Sequence, residues 1–136
     1  MNVKYQEIIE YNIENIVEIY NSVGWTNYTE NIEMLKNSYE NSLFILGAYL
    51  DEMLIGLIRV VGDGYSIIYI QDIIIKPEYH RMGIGSTLLE KILKRYKNTY
   101  QKILTTDNTE KTLKFYKSCG FLAVEELNCK SFIKIF

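Results

Sequence analysis

The sequence has few of the residues that would build a metal site or a disulfide framework. Its 136 residues include one histidine and two cysteines. Cys119 and Cys129 are not spaced as a CxxC pair, so we expect no metal. No apolar run reaches the roughly 18 residues that span a bilayer, and residues 1–7 lack the apolar stretch of a signal peptide. We therefore expect no membrane partner and a cytoplasmic location.

Proline and glycine are also scarce. One proline and eight glycines exclude a collagen-like or linker-like chain. With 48% hydrophobic and 24% charged residues, the chain has enough apolar side chains to bury a core. Its length is that of a single domain, which we predict over residues 1–136.

Basic residues are rare in the first part of the chain. Residues 1–58 carry two lysines against nine acidic residues, a net charge of −7, whereas residues 59–136 carry a net charge of +5. Seven of the basic residues fall within residues 76–102, against two acidic ones. A basic segment in an acidic protein favours a small anionic ligand. A nucleic-acid partner is not expected, because such proteins are usually basic overall. The alternative for residues 90–97 is a solvated helix face.

Hydrophobic periodicity predicts an α+β domain with a mixed sheet. Asn12 and Thr29 are predicted to cap two helices, with Gly24 ending the first. Two further helices are predicted over residues 83–97 and 109–119. The predicted strands cover residues 3–9, 43–50, 53–61, 66–76, 102–106, 121–124 and 129–135. A tight turn at Asp51-Glu52 is predicted to join the second and third of them.

The stretch after the strand at residues 66–76 predicts an anion site. Pro77 stops the strand, and a helix begins near Gly83. The free backbone N–H groups and the dipole of a helix's first turn attract anions. Gly83 and Gly85 let a ligand approach the backbone, Ser86 adds a hydroxyl, and Arg81 adds a positive charge. On the two glycines alone, a flexible helix start is the alternative.

Two motifs carry a resemblance to a known family. The run His80-Arg81-Met82-Gly83-Ile84-Gly85 resembles the acetyl-CoA-binding motif Gln/Arg-x-x-Gly-x-Gly/Ala of the GNAT N-acetyltransferase superfamily, with His80 in place of the usual Gln or Arg. Residues 115–121 resemble the family's Tyr-x-x-x-Gly-Phe signature, with Thr109 and Thr112 replacing the usual Asn and Ala upstream. The element order also matches, so the resemblance covers nearly the whole chain. Residues 23–28 are similar to small bacterial members of unassigned substrate.

The resemblance implies a GNAT-like mixed, mostly antiparallel sheet of six to seven strands, flanked by about four helices. It also implies acetyl transfer from acetyl-CoA to a primary amine of a small molecule, by direct attack in a ternary complex. Pairing of the final strands makes homodimers in this family. The positions expected to hold acetyl-CoA are Ile73, Ile74, Ile75, His80, Arg81, Met82, Gly83, Ile84, Gly85, Ser86, Thr109, Thr112, Phe115 and Tyr116.

Two residues are candidates for proton transfer. Tyr116 matches the family tyrosine whose hydroxyl lies near the thioester sulfur, and we expect it to be the general acid. From its spacing alone, Tyr116 is interpreted as a core aromatic of the helix at residues 109–119, and the family match favours the functional role. Asp72 interrupts an otherwise apolar strand, and a buried carboxylate needs a partner or a reason. Asp72 is therefore interpreted as a general base, as a ligand for the acceptor's ammonium group, or as a paired structural residue.

The acceptor site is predicted between the first two helices. Trp25 and Tyr28 lie in that connection, and aromatic rings suit an ammonium ion. Their alternative role is to anchor the loop by packing. Arg59 precedes Asp72 by one strand and is interpreted as facing it, as binding an acidic acceptor, or as part of an ion pair.

Several functions remain open at this point. The acidic first half favours a cationic acceptor such as a polyamine, an aminoglycoside or an arylalkylamine. Acetylation of protein N-termini or lysines is an alternative. A non-catalytic acetyl-CoA sensor would bind the cofactor without turnover, and a plain interaction domain would not bind it.

Overall fold

The computed structural model describes all 136 residues, which cluster into two compact units, Met1–Leu104 and Thr105–Phe136. The first unit holds five strands and four α-helices. The strands are β1 (Lys4–Glu7), β2 (Phe44–Leu50), β3 (Met53–Gly62), β4 (Ile67–Ile75) and β5 (Gln101–Leu104). The helices are α1 (Ile13–Ser22), α2 (Thr26–Thr29), α3 (Ile32–Glu40) and α4 (Ile84–Arg95), and a short 3-10 helix covers Pro77–Tyr79.

The five strands form one sheet in chain order, β1-β2-β3-β4-β5. The first three pairings are antiparallel and the β4–β5 pairing is parallel. The predicted hairpin turn between β2 and β3 is confirmed, since Asp51 and Glu52 both take positive φ values of 48° and 67°. The α+β class and the mostly antiparallel sheet are therefore confirmed.

Helices cover both faces of this sheet. Neighbouring residues of a strand point to opposite faces, so Phe44 and Ile45 of β2 point to the helices on the two different faces of the sheet. Ile45 packs with Tyr20 of α1 and Leu35 of α3 in one apolar cluster. Phe44 contacts the Tyr96 ring at the end of α4, with ring centroids 6.4 Å apart. None of the helices is both long and apolar enough to cross a bilayer.

The helix caps match the sequence in one case and not in the other. Asn12 caps α1 as predicted, because its Oδ1 accepts a hydrogen bond from the Glu14 N–H at 2.9 Å. Thr29 does not cap the next helix, and that prediction was wrong. The Thr29 hydroxyl donates to Asn21 Oδ1 at 2.7 Å and ends the single turn α2. Asn31 caps α3 instead, by accepting from the Met34 N–H at 3.1 Å.

The second unit contains one α-helix, α5 (Glu110–Ser118), and a 3-10 helix at Val124–Leu127. The predicted strands 121–124 and 129–135 are wrong, so the sheet has five strands rather than six or seven, and five α-helices replace about four. The alternating pattern near the end of the chain pairs with no strand, and Phe132 and Ile133 are 93% and 81% exposed. A strand forms only where a neighbour takes up its backbone hydrogen bonds, so alternation alone was not enough.

Candidate active site

One edge of β4 is open beyond its midpoint. β3 pairs with β4 from Ile68 to Ile75, whereas β5 pairs with it only from Ile67 to Ile70. The register shift between Arg59 and Val60 leaves Gln71 opposite no residue, which is a β-bulge at the point where β5 ends. Residues 71–75 therefore have no strand on the β5 side.

The three isoleucines at the end of β4 divide between the two edges. The Lys76 backbone N–H donates to the Ile55 carbonyl of β3, so the backbone N–H and carbonyl of Lys76 both point towards β3. Backbone groups alternate along an antiparallel strand, so Ile74 also faces β3, whereas Ile73 and Ile75 face the open edge. The Ile74 side chain is buried, and those of Ile73 and Ile75 are half-buried.

A histidine ties the next loop to that open edge. His80 follows the Pro77–Tyr79 turn, and its Nε2 atom lies 2.7 Å from the Ile75 carbonyl oxygen. Arg81 takes a φ of 64°, which is unusual for a residue with a side chain. Gly83 takes a φ of 78°, where a residue without a Cβ is favoured. These two positions turn the chain into α4, and Arg81 and Met82 are exposed.

The first turn of α4 leaves its backbone donors free. Gly83 stands at the N-cap and offers no side-chain cap. The first intrahelical bond runs from the Thr87 N–H to the Gly83 carbonyl at 3.0 Å. The N–H groups of Ile84, Gly85 and Ser86 are thus without a protein acceptor. A Cβ built at Gly83 would meet nothing within 4 Å, so this helix end is open to an anion.

Lys76 is paired elsewhere and is not free at the open start of α4. Its ammonium group lies 2.9 Å from Glu18 Oε1 on α1, and the lysine side chain is 9% exposed while the glutamate is 65% exposed. The charge at position 76 therefore stabilises the contact between α1 and the end of β4. This leaves Arg81 as the exposed cation of the loop between β4 and α4.

Asp72 lies in a buried network. It faces Arg59 across the β3–β4 pair, with Arg59 Nε donating to Asp72 Oδ2 at 2.7 Å. The Tyr20 hydroxyl donates to the same oxygen at 2.5 Å, and the Tyr39 hydroxyl donates to that of Tyr20 at 3.1 Å. Arg59 also donates to the Ser42 hydroxyl at 3.2 Å. The structure therefore places Arg59 as the partner of Asp72, and both are almost fully buried.

The network shifts the titration of its tyrosines. Burial, followed by the charges and hydrogen bonds of Tyr39 and Asp72, raises the pKa of Tyr20 far above its ordinary value. Burial also raises the pKa of Tyr39 above the ordinary range, against a smaller lowering by its hydrogen bond to Tyr20. Asp72 Oδ1 is buried and has no hydrogen-bond partner, although Oδ2 has two. Such an oxygen is costly unless it meets a further donor.

The predicted acceptor residues lie beside this network. The rings of Trp25 and Tyr28 lie with their centroids 6.2 and 5.4 Å from that of Tyr20, both in edge-to-face geometry. The Tyr28 hydroxyl accepts a hydrogen bond from Gln71 Nε2 at 3.3 Å, which links the helix connection to the bulge of β4. Trp25 and Tyr28 are half-buried. The structure thus brings Trp25, Tyr28 and Asp72 to one region of the first unit.

The remaining predicted site residues lie in the second unit. Thr109 caps α5, accepting from the Thr112 N–H at 3.3 Å, and its hydroxyl lies 2.9 Å from Asp107 Oδ1. The rings of Phe115 and Tyr116 are 5.0 Å apart, and both are half-buried. Burial, with smaller contributions from Cys119 and Asp107, raises the pKa of Tyr116. A raised pKa keeps this phenol protonated, as a proton donor requires.

Sequence reasoning missed three members of the Asp72 network: Tyr20, Tyr39 and Ser42. The first two fall on the apolar faces of α1 and α3, where the helical spacing predicts that an aromatic ring packs in the hydrophobic core. Only the position of Asp72 in an apolar strand signalled that buried donors must exist somewhere.

Fold and loop together define an α+β protein in which the open edge of β4 leads into an uncapped, glycine-rich helix start. The acetyltransferase (GNAT) family profile matches residues 10–121, most of the sequence, and the chain belongs to this family. A solved GNAT family acetyltransferase from Streptococcus pneumoniae TIGR4 is 38% identical to it. The alignment covers 99% of this chain and 98% of that one, with a TM-score of 0.90.

Two further relatives extend the comparison. An uncharacterized N-acetyltransferase ycf52 from Gracilaria tenuistipitata var. liui is 24% identical over 115 residues, which cover 82% of this chain and 62% of that protein. The chain therefore spans less than two thirds of the length of this relative. The PaiA N-acetyltransferase from Thermoplasma acidophilum, solved in complex with coenzyme A, shares the fold. Its TM-score is 0.65 at 23% identity, with 88% of this chain and 89% of that one covered.

Proposed function

We propose that this protein is an acetyl-CoA-dependent N-acetyltransferase that acts on a primary amine of a small molecule. The observation that carries the proposal is the open edge of β4 at Gln71–Ile75, followed directly by the uncapped start of α4 at Gly83. Acetyl-CoA presents an amide-bearing arm that needs a strand edge and a diphosphate that needs backbone donors. Both requirements are met here within one continuous segment.

The residues of that segment divide the work of holding the cofactor. Ile73 offers its backbone N–H and carbonyl to the amide-bearing arm, and Ile75 offers its N–H, because the Ile75 carbonyl is held by His80. The N–H groups of Ile84, Gly85 and Ser86 bind the diphosphate, and Arg81 adds a positive charge. His80 positions the loop by its contact with the Ile75 carbonyl. The coenzyme A bound to the Thermoplasma relative supports this ligand class.

The acceptor side of the site is proposed at the Tyr20–Trp25–Tyr28 aromatic group. An alkylammonium ion has a pKa of about 10.4, so its nitrogen must lose one proton before it attacks the carbonyl carbon, and it releases a second proton to solvent as the amide forms. Asp72 Oδ1, the carboxylate oxygen that has no hydrogen-bond donor, is proposed to accept the proton that the nitrogen loses before it attacks, directly or through water. Arg59 and Tyr20 hold the other oxygen and so fix the carboxylate in place.

The reaction also needs an acid. Acetyl-CoA supplies an activated acyl group, and the departing sulfur must take up a proton or leave as a thiolate. Tyr116 is proposed to donate that proton, which accords with its raised pKa. Thr109 and Thr112 hold the start of the helix that carries it.

Amine-dependent release of the coenzyme A thiol tests the proposal. Purified protein is given acetyl-CoA with separate polyamine, aminoglycoside and arylalkylamine panels, and the acetylated product is identified by mass. We expect release with at least one cationic amine, loss of release in Gly83→Glu, and a raised KM for the amine in Tyr28→Leu. Acetyl-CoA binding without release would support a sensor instead, and acetylation of peptides alone would support a protein acetyltransferase.

A further inference from the structure

A cavity lies away from the β4 loop, at the end of α3. It is a cavity of about 350 Å³ bounded by the end of β1, the start of β2 and the last turn of α3. Its volume falls in the range of small-molecule pockets. β2 lies two strands from β4 in the sheet, roughly 10 Å away at the usual strand spacing. Nothing in the proposed acetyl transfer uses this cavity.

The charge of the cavity lining has one sign. Glu7 from the end of β1 and Glu40 from the end of α3 are both lining residues, and no lysine, arginine or histidine lines it. The last turn of α3 carries no basic residue, so the negative end of its dipole is not compensated there. Arg59 donates to Ser42 and lies over the Tyr39 ring, but its charge is already paired with Asp72. The cavity therefore favours a cation.

Aromatic rings form one wall. The rings of Tyr11 and Tyr39 lie 5.4 Å apart at an interplanar angle of 55°. Burial, followed by the charge of Glu40, raises the pKa of Tyr11, which places that carboxylate near the phenol. A ring face within about 6 Å attracts an ammonium group. The Tyr39 ring already has the Arg59 guanidinium 5.6 Å from its centroid, so Tyr11 is the ring left for a bound ammonium. Ile9 and Leu43 also line the cavity and are 77% and 37% exposed, so an apolar body has a surface to cover.

The wall is held in place by the Asp72 network. Tyr39 is fixed by its hydrogen bond to Tyr20, and Ser42 by the hydrogen bond from Arg59. Both residues line the cavity, so two of its contact groups keep their positions without a ligand. A site formed before binding loses less conformational entropy when the ligand arrives.

We propose that this cavity binds a small organic ammonium ion with an apolar body, at a site separate from that of the acyl acceptor. Its ammonium group lies between Glu7 and Glu40 and against Tyr11, and its apolar part covers Ile9 and Leu43. The proposal does not depend on acetyl transfer, because binding here requires no cofactor.

The test uses n-butylammonium chloride as the probe and n-butanol as its neutral counterpart, without acetyl-CoA. Backbone amide shifts are followed by NMR in the wild type, in the Glu7→Gln/Glu40→Gln double variant and in Glu33→Gln. Glu33 lies on the first turn of α3 outside the cavity lining, so Glu33→Gln is the matched control. All the changed side chains are exposed, so each variant should keep the fold, which circular dichroism verifies.

We expect saturable shifts at Tyr11, Ser42 and Leu43 in the wild type and in Glu33→Gln. In the double variant the affinity should fall by roughly five- to tenfold, since exposed carboxylates each contribute a few-fold. Equal binding of n-butanol, unchanged affinity in the double variant, or shifts confined to Tyr28 and Gln71 would overturn the proposal. Loss of acetyl-CoA binding in Gly83→Glu bears only on the proposed function.

Discussion

Arg59 and Asp72 face each other across the β3–β4 pair, and Arg59 Nε lies 2.7 Å from Asp72 Oδ2 with both side chains almost fully buried. The Tyr20 hydroxyl meets the same carboxylate oxygen. One face of the central strands thus carries an ion pair enclosed by tyrosines, close to the proposed acceptor site. Such a pair can serve stability, catalysis or both, and the variants below separate these roles.

Asp72→Asn should destabilise the protein strongly. The substitution leaves the buried Arg59 guanidinium without its counter-charge, and breaking a buried pair by removing one partner costs about 3–5 kcal/mol. Urea unfolding measures the change in free energy. Glu110→Gln is the control, because its partner Lys114 and Glu110 itself are 75% and 84% exposed, and it should leave the midpoint unchanged. A midpoint for Asp72→Asn equal to that of the wild type would show that the pair does not stabilise the fold.

The proposed catalytic role of Asp72 is tested by measuring kinetic constants rather than stability. If Oδ1 takes the acceptor's proton, Asp72→Asn should lower kcat well beyond any change in KM, at a temperature where the variant is still folded. Acetyl-CoA affinity should stay near that of the wild type. An unchanged kcat would leave Asp72 a structural residue.

Stability should fall at alkaline pH because of Tyr20 and Tyr39. The folded-state pKa of both phenols is raised above the ordinary value of about 10. Their contribution is therefore complete below pH 10 and is lost as the unfolded chain ionises above it, by about 1.4 kcal/mol per pH unit for each group. Urea unfolding between pH 9 and pH 12 measures the slope.

Tyr20→Phe isolates the contribution of one phenol. This variant should be less stable at pH 8 by about 1–3 kcal/mol, because Asp72 loses a buried donor, yet its alkaline slope should be shallower. Tyr28→Phe is the matched control, since its hydroxyl contacts only the exposed Gln71 side chain, and both properties should stay near those of the wild type. Equal slopes in the wild type and Tyr20→Phe would contradict the assignment.

His80→Ala should weaken acetyl-CoA binding without unfolding the protein. The imidazole holds the loop to the Ile75 carbonyl, and a hydrogen bond of about 1 kcal/mol corresponds to roughly a fivefold change in Kd. Fluorescence or calorimetric titration measures the affinity. Glu78→Gln, an exposed neighbour in the same turn, should bind as the wild type does. A wild-type Kd for His80→Ala would mean that the loop keeps its shape by other contacts.

The sequence predicted the helices, turns and strands whose boundaries are marked by residues close to them in the chain. Asn12 before an amphipathic run marked the start of α1, and the Asp51-Glu52 turn between two apolar runs marked the β2–β3 hairpin. Pro77 and Gly83 bounded the loop after β4 for stereochemical reasons that hold in any fold. These signals were enough to assign the α+β class and to locate the loop that is proposed to hold an anion.

What the sequence could not show depends on tertiary contacts. Tyr20 meets Asp72 across 52 positions of the chain, and nothing near either residue specifies that contact. Thr29 and Asn31 are both residues that cap helices well, but the Thr29 hydroxyl bonds to Asn21 and Asn31 caps α3. The alternation in residues 129–135 matched a strand, but pairing requires a neighbour that no local pattern supplies.

A calorimetric titration with acetyl-CoA tests most directly whether the start of α4 holds the diphosphate. The titration compares the wild type with Gly83→Glu and Gly24→Glu. Gly83 and Gly24 have nearly the same φ, 78° and 79°, and at both a Cβ would meet nothing within 4 Å. Both variants place a side chain at a positive φ with open space around it, but only Gly83→Glu places a carboxylate at the uncapped start of α4. We predict binding in the wild type and Gly24→Glu, and its loss in Gly83→Glu. No binding in the wild type, or equal binding in both variants, would show that the start of α4 is not the site that holds acetyl-CoA.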